Sequence, residues 1–584
     1  MNQDFPNGHL APIQEARIQG ERLARVIVSL RVSRNLKVDI QGSVIGKIRV
    51  MILHPLRQER SRDVLRLASR DHLSTSLRIG LAIASFIIYA AAVMVLREHR
   101  YSHYISDKFT VAAAVSNLVY GAPIATIYSG LLQPFMYKPL PIQQALEATA
   151  RGGTGTGRLL MVNPNGDDLA FTVIATLAMR LFGLHLSSLT LALLCFMGIS
   201  TFIFLLRYQD DRVFAVLLYF FSLTIMLFTP LATDRDIANE VPVGAIRYFT
   251  LLGILPALHI FWEIVGSAKS NPKARPGNFI LLGVQVLVLA VVILVRGSAG
   301  YLLGALIVAF FLTLGARRHD PAGLRNLLRK GAFIALLSGV LGASFYLWVP
   351  QAYKDSGQIT GVFWHRMLIS LGANPAWPFG DLRDVYASCK PYHPSLYATP
   401  ESLVPGFADW NGQCIWWAHA LEHGVTGAQT IEGIYGRRYE TVMKEAFFGI
   451  TRNYPTQVFE TFFYYKPILI LTTARDLIRF GAPGKTLGIK LLLLALALAQ
   501  ASALAGFVVF GASGEPENRM RLLAGALLLF SIFNMVPYFV AWSTPISAAE
   551  LAFYIVAGLA VALITAFQAV RRNQRADAGG RTPE

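Results

Sequence analysis

The sequence predicts an all-α polytopic membrane protein with about ten transmembrane helices and two large external loops. Three observations lead to this fold class. Of the 584 residues, 54% are hydrophobic and only 15% are charged, and the mean hydropathy is +0.46. The apolar residues form runs long enough to cross a bilayer. Lysine and arginine gather in one tail and in alternate short loops, as is typical of loops on the cytoplasmic side.

The same charge pattern excludes one class of partner. The formal net charge is +18, which by itself would suit a nucleic-acid-binding protein. Because these charges follow the positive-inside pattern instead, we expect a lipid bilayer as the partner and no nucleic acid.

The predicted segments follow one another along the whole chain. In order, they are a basic cytoplasmic tail (1–76), a module of about seven spans (77–350) whose first external loop is 97–168, a large periplasmic loop (351–466), the C-terminal spans (467–570) and a cytoplasmic tail (571–584). Both termini are therefore expected in the cytoplasm, and the basic composition suggests a bacterial inner membrane. The second large loop is too long for a simple connection and predicts a small ordered lid, with a Cys389–Cys414 disulfide.

Two carboxylates come directly before an amphipathic stretch. Asn165-Gly166 is a turn pair, and Asp167 and Asp168 precede the run Leu169–Leu186, which leads into an apolar span. Acidic residues at the membrane surface are candidates for a functional site. The alternative is that one of them caps a helix, because aspartate is a preferred N-cap residue.

The order of segments resembles that of the GT-C superfamily of membrane glycosyltransferases. The local resemblance lies in Asp167-Asp-Leu-Ala-Phe-Thr-Val-Ile-Ala-Thr-Leu-Ala-Met-Arg-Leu-Phe-Gly-Leu-His185 and continues to Tyr208. In that superfamily an acid opens a juxtamembrane helix that turns at a glycine before the second span. The protein mannosyltransferases, oligosaccharyltransferases and lipid A aminoarabinose transferases belong to it. The usual Asp-Glu pair soon after the first span is absent, which leaves the catalytic position open among Asp107, Asp167 and Asp168.

The resemblance implies transfer of a sugar from a polyprenyl-phosphate donor to a glycan, lipid or protein acceptor at the periplasmic face. Such a reaction needs a carboxylate base and cations that neutralise the departing phosphate. The candidate site residues are Asp107, Asp167 and Asp168 as the base, Arg235, Arg247, Arg296 and Lys466 at the donor phosphate, His365 at the substrate, and Asp234 and Asp236 as ligands of a divalent metal, Mg²⁺ or Mn²⁺. Each cation alone could instead be an interfacial anchor, and His365 could be structural.

Three other functions compete with this interpretation. An O-antigen polymerase or ligase would use the same kind of donor, and a transporter of lipid-linked sugars would have a similar number of spans. A zinc hydrolase is a remote alternative, because His419, Glu422 and His423 fit the pattern His-x-x-Glu-His. The long first external loop favours the transferase.

Overall fold

A computed structural model describes residues 105–124, 126–132, 159–161, 169–185, 187–208, 250–265, 276–348, 363–374, 437–468 and 517–540, with short pieces within 80–87, 144–151, 217–221, 415–425 and 550–558. These residues are almost entirely helical. Three of the helices are long and apolar enough to cross a membrane, over Leu191–Tyr208, Asn278–Val295 and Pro321–Leu347. The prediction of a helical membrane protein is thereby confirmed.

The first long stretch that the structure describes combines two helices with a small hairpin. Helix α1 (Ile105–Tyr120) precedes strand β1 (Thr126–Tyr128), which pairs antiparallel with β2 (Leu159–Met161). Helix α2 (Leu169–Phe182) then packs on α1. Its buried face is made of small and aromatic side chains, including Ala175 and Phe171, so the two helices approach closely.

Among the residues that the structure describes, five consecutive helices form most of the main apolar bundle. They are α3 (Ser187–Tyr208), α4 (Ile254–Val265), α5 (Pro276–Val295), α6 (Gly300–Ala316) and α7 (Pro321–Trp348). Helix α4 is buried along its length and touches the other four.

One polar pair lies inside this bundle. Ser200 of α3 donates to Gln285 Oε1 of α5 at 3.1 Å, and Gln285 Nε2 donates to the Ser200 carbonyl at 3.0 Å. This mutual pairing fixes α3 against α5, because a buried amide is costly unless its donors and acceptors are used.

The ends of the helices can be assigned from their contacts. Arg207 near the end of α3, Glu263 near the end of α4 and Lys330 in α7 meet at one place, which we call the Lys330 end. The 22 residues of α3 rise about 33 Å at 1.5 Å per residue. Helix α2, which precedes α3, therefore lies at the opposite end of the bundle. Helix α7 runs toward that opposite end and leads into the later segments.

Helix α7 begins earlier than predicted. The basic residues between Arg317 and Lys330 predict a cytoplasmic loop, but the helix starts at Pro321. Asp320 explains this start, because its carboxylate accepts the Gly323 N–H at 3.0 Å. An aspartate cap followed by proline in the first turn is a strong signal for a helix start. The basic residues of the expected loop thus lie largely on the first turns of α7.

Part of the second predicted loop forms a small helical cluster with its own core. Helix α8 (Phe363–Ser370) packs against α9 (Arg437–Asn453), and α10 (Pro455–Glu460) continues into a π-helical segment, Thr461–Tyr465. The core side chains of this cluster are Leu368, Leu371, Trp416, Ala420, Tyr439, Val442, Met443, Phe447, Val458 and Phe462. Helix α11 (Glu517–Val540) returns to the main bundle, where it packs on α6 and also contacts α8.

Candidate functional site

The two leading acid candidates stand directly before α2 in the sequence. Asp167 and Asp168 lie outside the described residues, and α2 begins at Leu169. Leu177, Leu181 and other apolar side chains of α2 are exposed. Exposed apolar side chains on a helix next to a span suit the surface of a membrane, which is where the sequence placed this helix.

A turn at Gly183 connects α2 to α3, the first of the long apolar helices. Gly183 has a φ of +96°, a conformation that L side chains rarely adopt. Its N–H donates to the Met179 carbonyl at 3.0 Å and ends α2. Its own carbonyl accepts the Ser188 hydroxyl at 2.7 Å, at the start of α3. The turn at glycine expected from the resemblance is therefore present in the chain.

The third acid candidate, Asp107, lies in the first turn of α1, within Ile105–Tyr120. Because α1 packs on α2, the helix that carries Asp107 is adjacent to the helix that follows Asp167 and Asp168. The structure thus brings together α1, which carries Asp107, and the helix that follows the acidic pair in the sequence.

Two of the four predicted phosphate-binding cations fall within the described residues. Arg296 is partly exposed in the turn between α5 and α6. Lys466 is 3% exposed, and its Nζ lies 4.6 Å from the centroid of the Phe462 ring. Burial lowers the pKa of this amine to about 6. Lys466 can meet a phosphate only if the side chains that cover it move.

The other predicted polar ligands lie outside the described residues. These are the cations Arg235 and Arg247 and the metal-ligand candidates Asp234 and Asp236. The disulfide candidates Cys389 and Cys414 also lie outside. In the part of the chain that the structure describes, there is no group of three or more His, Cys, Asp or Glu side chains placed to hold a metal ion.

His365 lies inside the helical cluster. It is 3% exposed, and its Nδ1 lies 2.7 Å from the Tyr439 hydroxyl. Glu440 accepts the backbone N–H groups of Trp364 at 2.8 Å and His365 at 3.2 Å. This carboxylate therefore satisfies the free N–H groups at the start of α8. The arrangement favours the structural interpretation of His365 over direct contact with substrate.

The His-x-x-Glu-His pattern also has an ordered arrangement. The rings of His419 and His423 stack with centroids 4.1 Å apart, and His423 Nδ1 lies 2.9 Å from the His419 carbonyl oxygen. Partial burial and the nearby His423 lower the pKa of His419. Glu422 is exposed.

Sequence reasoning missed a buried ionic group at the Lys330 end. Glu263 is 4% exposed. It pairs with Lys330 Nζ at 2.5 Å and with the Arg207 guanidinium at 2.7 Å. His259 lies one helical turn before Glu263 and is fully buried, with its ring against Tyr208 at 5.2 Å. The signal was a glutamate and a histidine within one apolar span, at positions four residues apart on one helix face.

A second buried group at the opposite end was also missed. It contains Glu550, Asn534 and a tyrosine pair, Tyr301 and Tyr554. Its members are far apart in the sequence, with 253 positions between the two tyrosines. Glu550 itself, a lone acid at the edge of an apolar run, was the available signal.

Taken together, the fold and these buried groups define a helical membrane protein with polar side chains inside its bundle. Comparison of the chain with protein-family models, with curated proteins and with solved structures finds no match.

Proposed function

We propose that this protein is a GT-C-like membrane glycosyltransferase, which moves a sugar from a polyprenyl-phosphate donor to a glycan, lipid or protein acceptor. One observation carries the proposal. The chain between the first predicted span and α3 folds into α1, the hairpin and α2, and it joins α3 through the turn at Gly183. An amphipathic helix that follows an acidic pair and turns at a glycine is the arrangement on which the resemblance rests.

The mechanism assigns the base to Asp167 or Asp168. A carboxylate at the start of α2 is favoured by the positive end of the helix dipole. Positioned there, it would accept the proton of the acceptor hydroxyl as the new glycosidic bond forms. Asp107, on the adjacent helix α1, is the alternative base.

The departing phosphate requires cations on the same side of the membrane. Arg296 is suited to this role, because it is partly exposed and lies at the same end of the bundle as α2. Arg235, Arg247 and Lys466 complete the proposed set, with Asp234 and Asp236 available for Mg²⁺ or Mn²⁺. We place this end at the periplasmic face of a bacterial inner membrane, with about ten spans and both termini in the cytoplasm.

Asparagine substitutions test the base. We expect the Asp167→Asn/Asp168→Asn double variant to lose at least about 100-fold in transfer, the lower range of general-base catalysis. The measurement is mass spectrometry of envelope glycolipids and polysaccharides in a deletion strain complemented with each variant. Asp320→Asn is the matched control, because Asp320 caps α7 and asparagine caps a helix equally well. A double variant that restores the product fully would refute the assigned base.

A transporter of lipid-linked sugars is the second candidate function. The buried group around Glu550 favours it, because ionisable residues inside a bundle often mark substrate paths. Purified protein in liposomes separates the two functions. A transferase cleaves the donor and releases polyprenyl phosphate when acceptor is supplied, whereas a transporter moves the donor between leaflets without breaking a bond.

A further inference from the structure

A group of polar side chains is enclosed between helices at the end of the bundle opposite Lys330. Its residues come from α6, α11, the residues just before α4, the turn between α5 and α6, and the helical piece 550–558. Its members are Thr250, Arg296, Tyr301, Asn534, Glu550 and Tyr554. All except Arg296 are buried, and Glu550 is 2% exposed.

The hydrogen bonds in this group leave two acceptors without donors. Asn534 Nδ2 donates to Glu550 Oε2 at 2.6 Å, and the Tyr301 and Tyr554 hydroxyls lie 2.9 Å apart. Within the described residues, Glu550 Oε1 and Asn534 Oδ1 have no hydrogen-bond partner. A buried acceptor without a donor is costly. This cost would be removed if one of the two oxygens carried a proton.

The bundle contains a second buried glutamate that provides a comparison. Glu263 is buried to nearly the same degree, but two cations, Lys330 and Arg207, reach its carboxylate directly. The groups that donate to the Glu550 carboxyl are instead neutral: the amide of Asn534 and the hydroxyls of Thr250 and Tyr301. A carboxylate away from water is stable as an ion when it is paired, and otherwise it is more stable in its neutral form.

We propose that Glu550 is a proton-binding site inside the membrane bundle, occupied at neutral pH. A proton on Oε1 changes that oxygen from an acceptor without a donor into a donor. The groups that face it are the hydroxyls of Thr250, Tyr301 and Tyr554, the amide of Asn534 and the charge of Arg296. Arg296 opposes the proton, but it is partly exposed, so solvent screens its charge.

This site goes beyond the proposed glycosyltransfer, with which it shares Arg296. It assigns to Glu550 a neutral carboxylic acid that can donate a hydrogen bond, in contrast to the paired carboxylate of Glu263.

Infrared spectroscopy of purified protein in lipid tests the proposal. The C=O stretching band of a carboxylic acid is distinct from the bands of a carboxylate. We expect that Glu550→Gln removes one carboxylic-acid band at pH 7, whereas the matched variant Glu263→Gln removes carboxylate bands. If Glu550→Gln removes carboxylate bands instead, the proposal is wrong.

A second variant keeps the test decisive if Glu550→Gln does not fold. Asn534→Leu retains the carboxyl group and removes its amide donor, so the carboxylic-acid band should shift to higher frequency. An absence of any shift in folded protein would overturn the assignment. Wild-type protein is also measured with and without sodium ions, and loss of the band in sodium would replace the proton site by a metal-cation site.

Discussion

The ionic group at the Lys330 end offers the most quantitative prediction. Replacing Glu263 by glutamine leaves Lys330 and Arg207 without their common carboxylate. The Lys330 side chain is 8% exposed and that of Arg207 is 28% exposed. Removing one partner of a buried pair costs about 3–5 kcal/mol, because an uncompensated charge stays buried. We expect Glu263→Gln to reach this range, mainly through Lys330.

The double variant gives the opposite expectation. Glu263→Met/Lys330→Met removes the buried charge pair and fills the space with apolar atoms. Such replacements are often neutral or stabilising, so the double variant should be more stable than Glu263→Met alone, in which Lys330 stays buried without its carboxylate. The coupling between the two sites should therefore amount to several kcal/mol, which neighbouring residues that share an ion pair can show.

The assay is reversible unfolding in mixed micelles, with the free energy of unfolding measured for the wild type, both single variants and the double variant. Arg207→Gln is the internal control. Since Arg207 is partly exposed, its loss should cost less than the loss of Glu263. If the two methionine substitutions are additive, the ion pair does not hold α4 and α7 together, and the reasoning fails.

Three further outcomes follow from other contacts. Lys466→Met should raise the free energy of unfolding by up to about 5 kcal/mol at pH 7. The folded pKa of about 6 lies below the unfolded value, so the stability of the wild type rises with pH between these two values. The stability gained by Lys466→Met therefore shrinks toward pH 10. A gain in stability that does not change with pH would contradict this cause. Gly183→Ala should lower the free energy of unfolding by about 1–2 kcal/mol, measured by thermal unfolding, because the φ of Gly183 is positive. Gly300→Ala is the control and should cost less, because the space around its Cβ position is open. Tyr439→Phe should cost about 1–3 kcal/mol, since it removes the hydroxyl next to buried His365; unchanged thermal unfolding would show that this contact carries no stability.

The helices were the most predictable part of this protein. Long apolar runs indicate spans because a bilayer admits only backbone whose polar groups are satisfied internally. The start of α7 was missed because charge was taken to indicate a loop, whereas the Asp320-Pro321 pair starts a helix. Capping residues and charge gave conflicting signals there, and the cap determined the local structure.

The polar groups were less predictable, for a physical reason. Glu263 meets Lys330 across 67 positions of sequence, and Tyr301 meets Tyr554 across 253 positions. Periodicity describes which face of a helix is apolar, but it does not identify which helices are neighbours. Asp167 and Asp168 could be selected as candidates from local sequence alone, because they stand next to a predicted helix start.

The length of α7 has a consequence for how the protein sits in lipid. Its 28 residues rise about 42 Å, and a bilayer has a hydrocarbon thickness of about 30 Å. A quarter or so of the helix must extend into the headgroup layer unless it tilts strongly. Arg325 and Arg329 occupy its first turns and are exposed, and long basic side chains near a helix end can reach the headgroup layer. They would act as interfacial anchors, which resist movement of α7 along the membrane normal. The Glu263–Lys330 pair would then stay at a fixed depth in the bilayer.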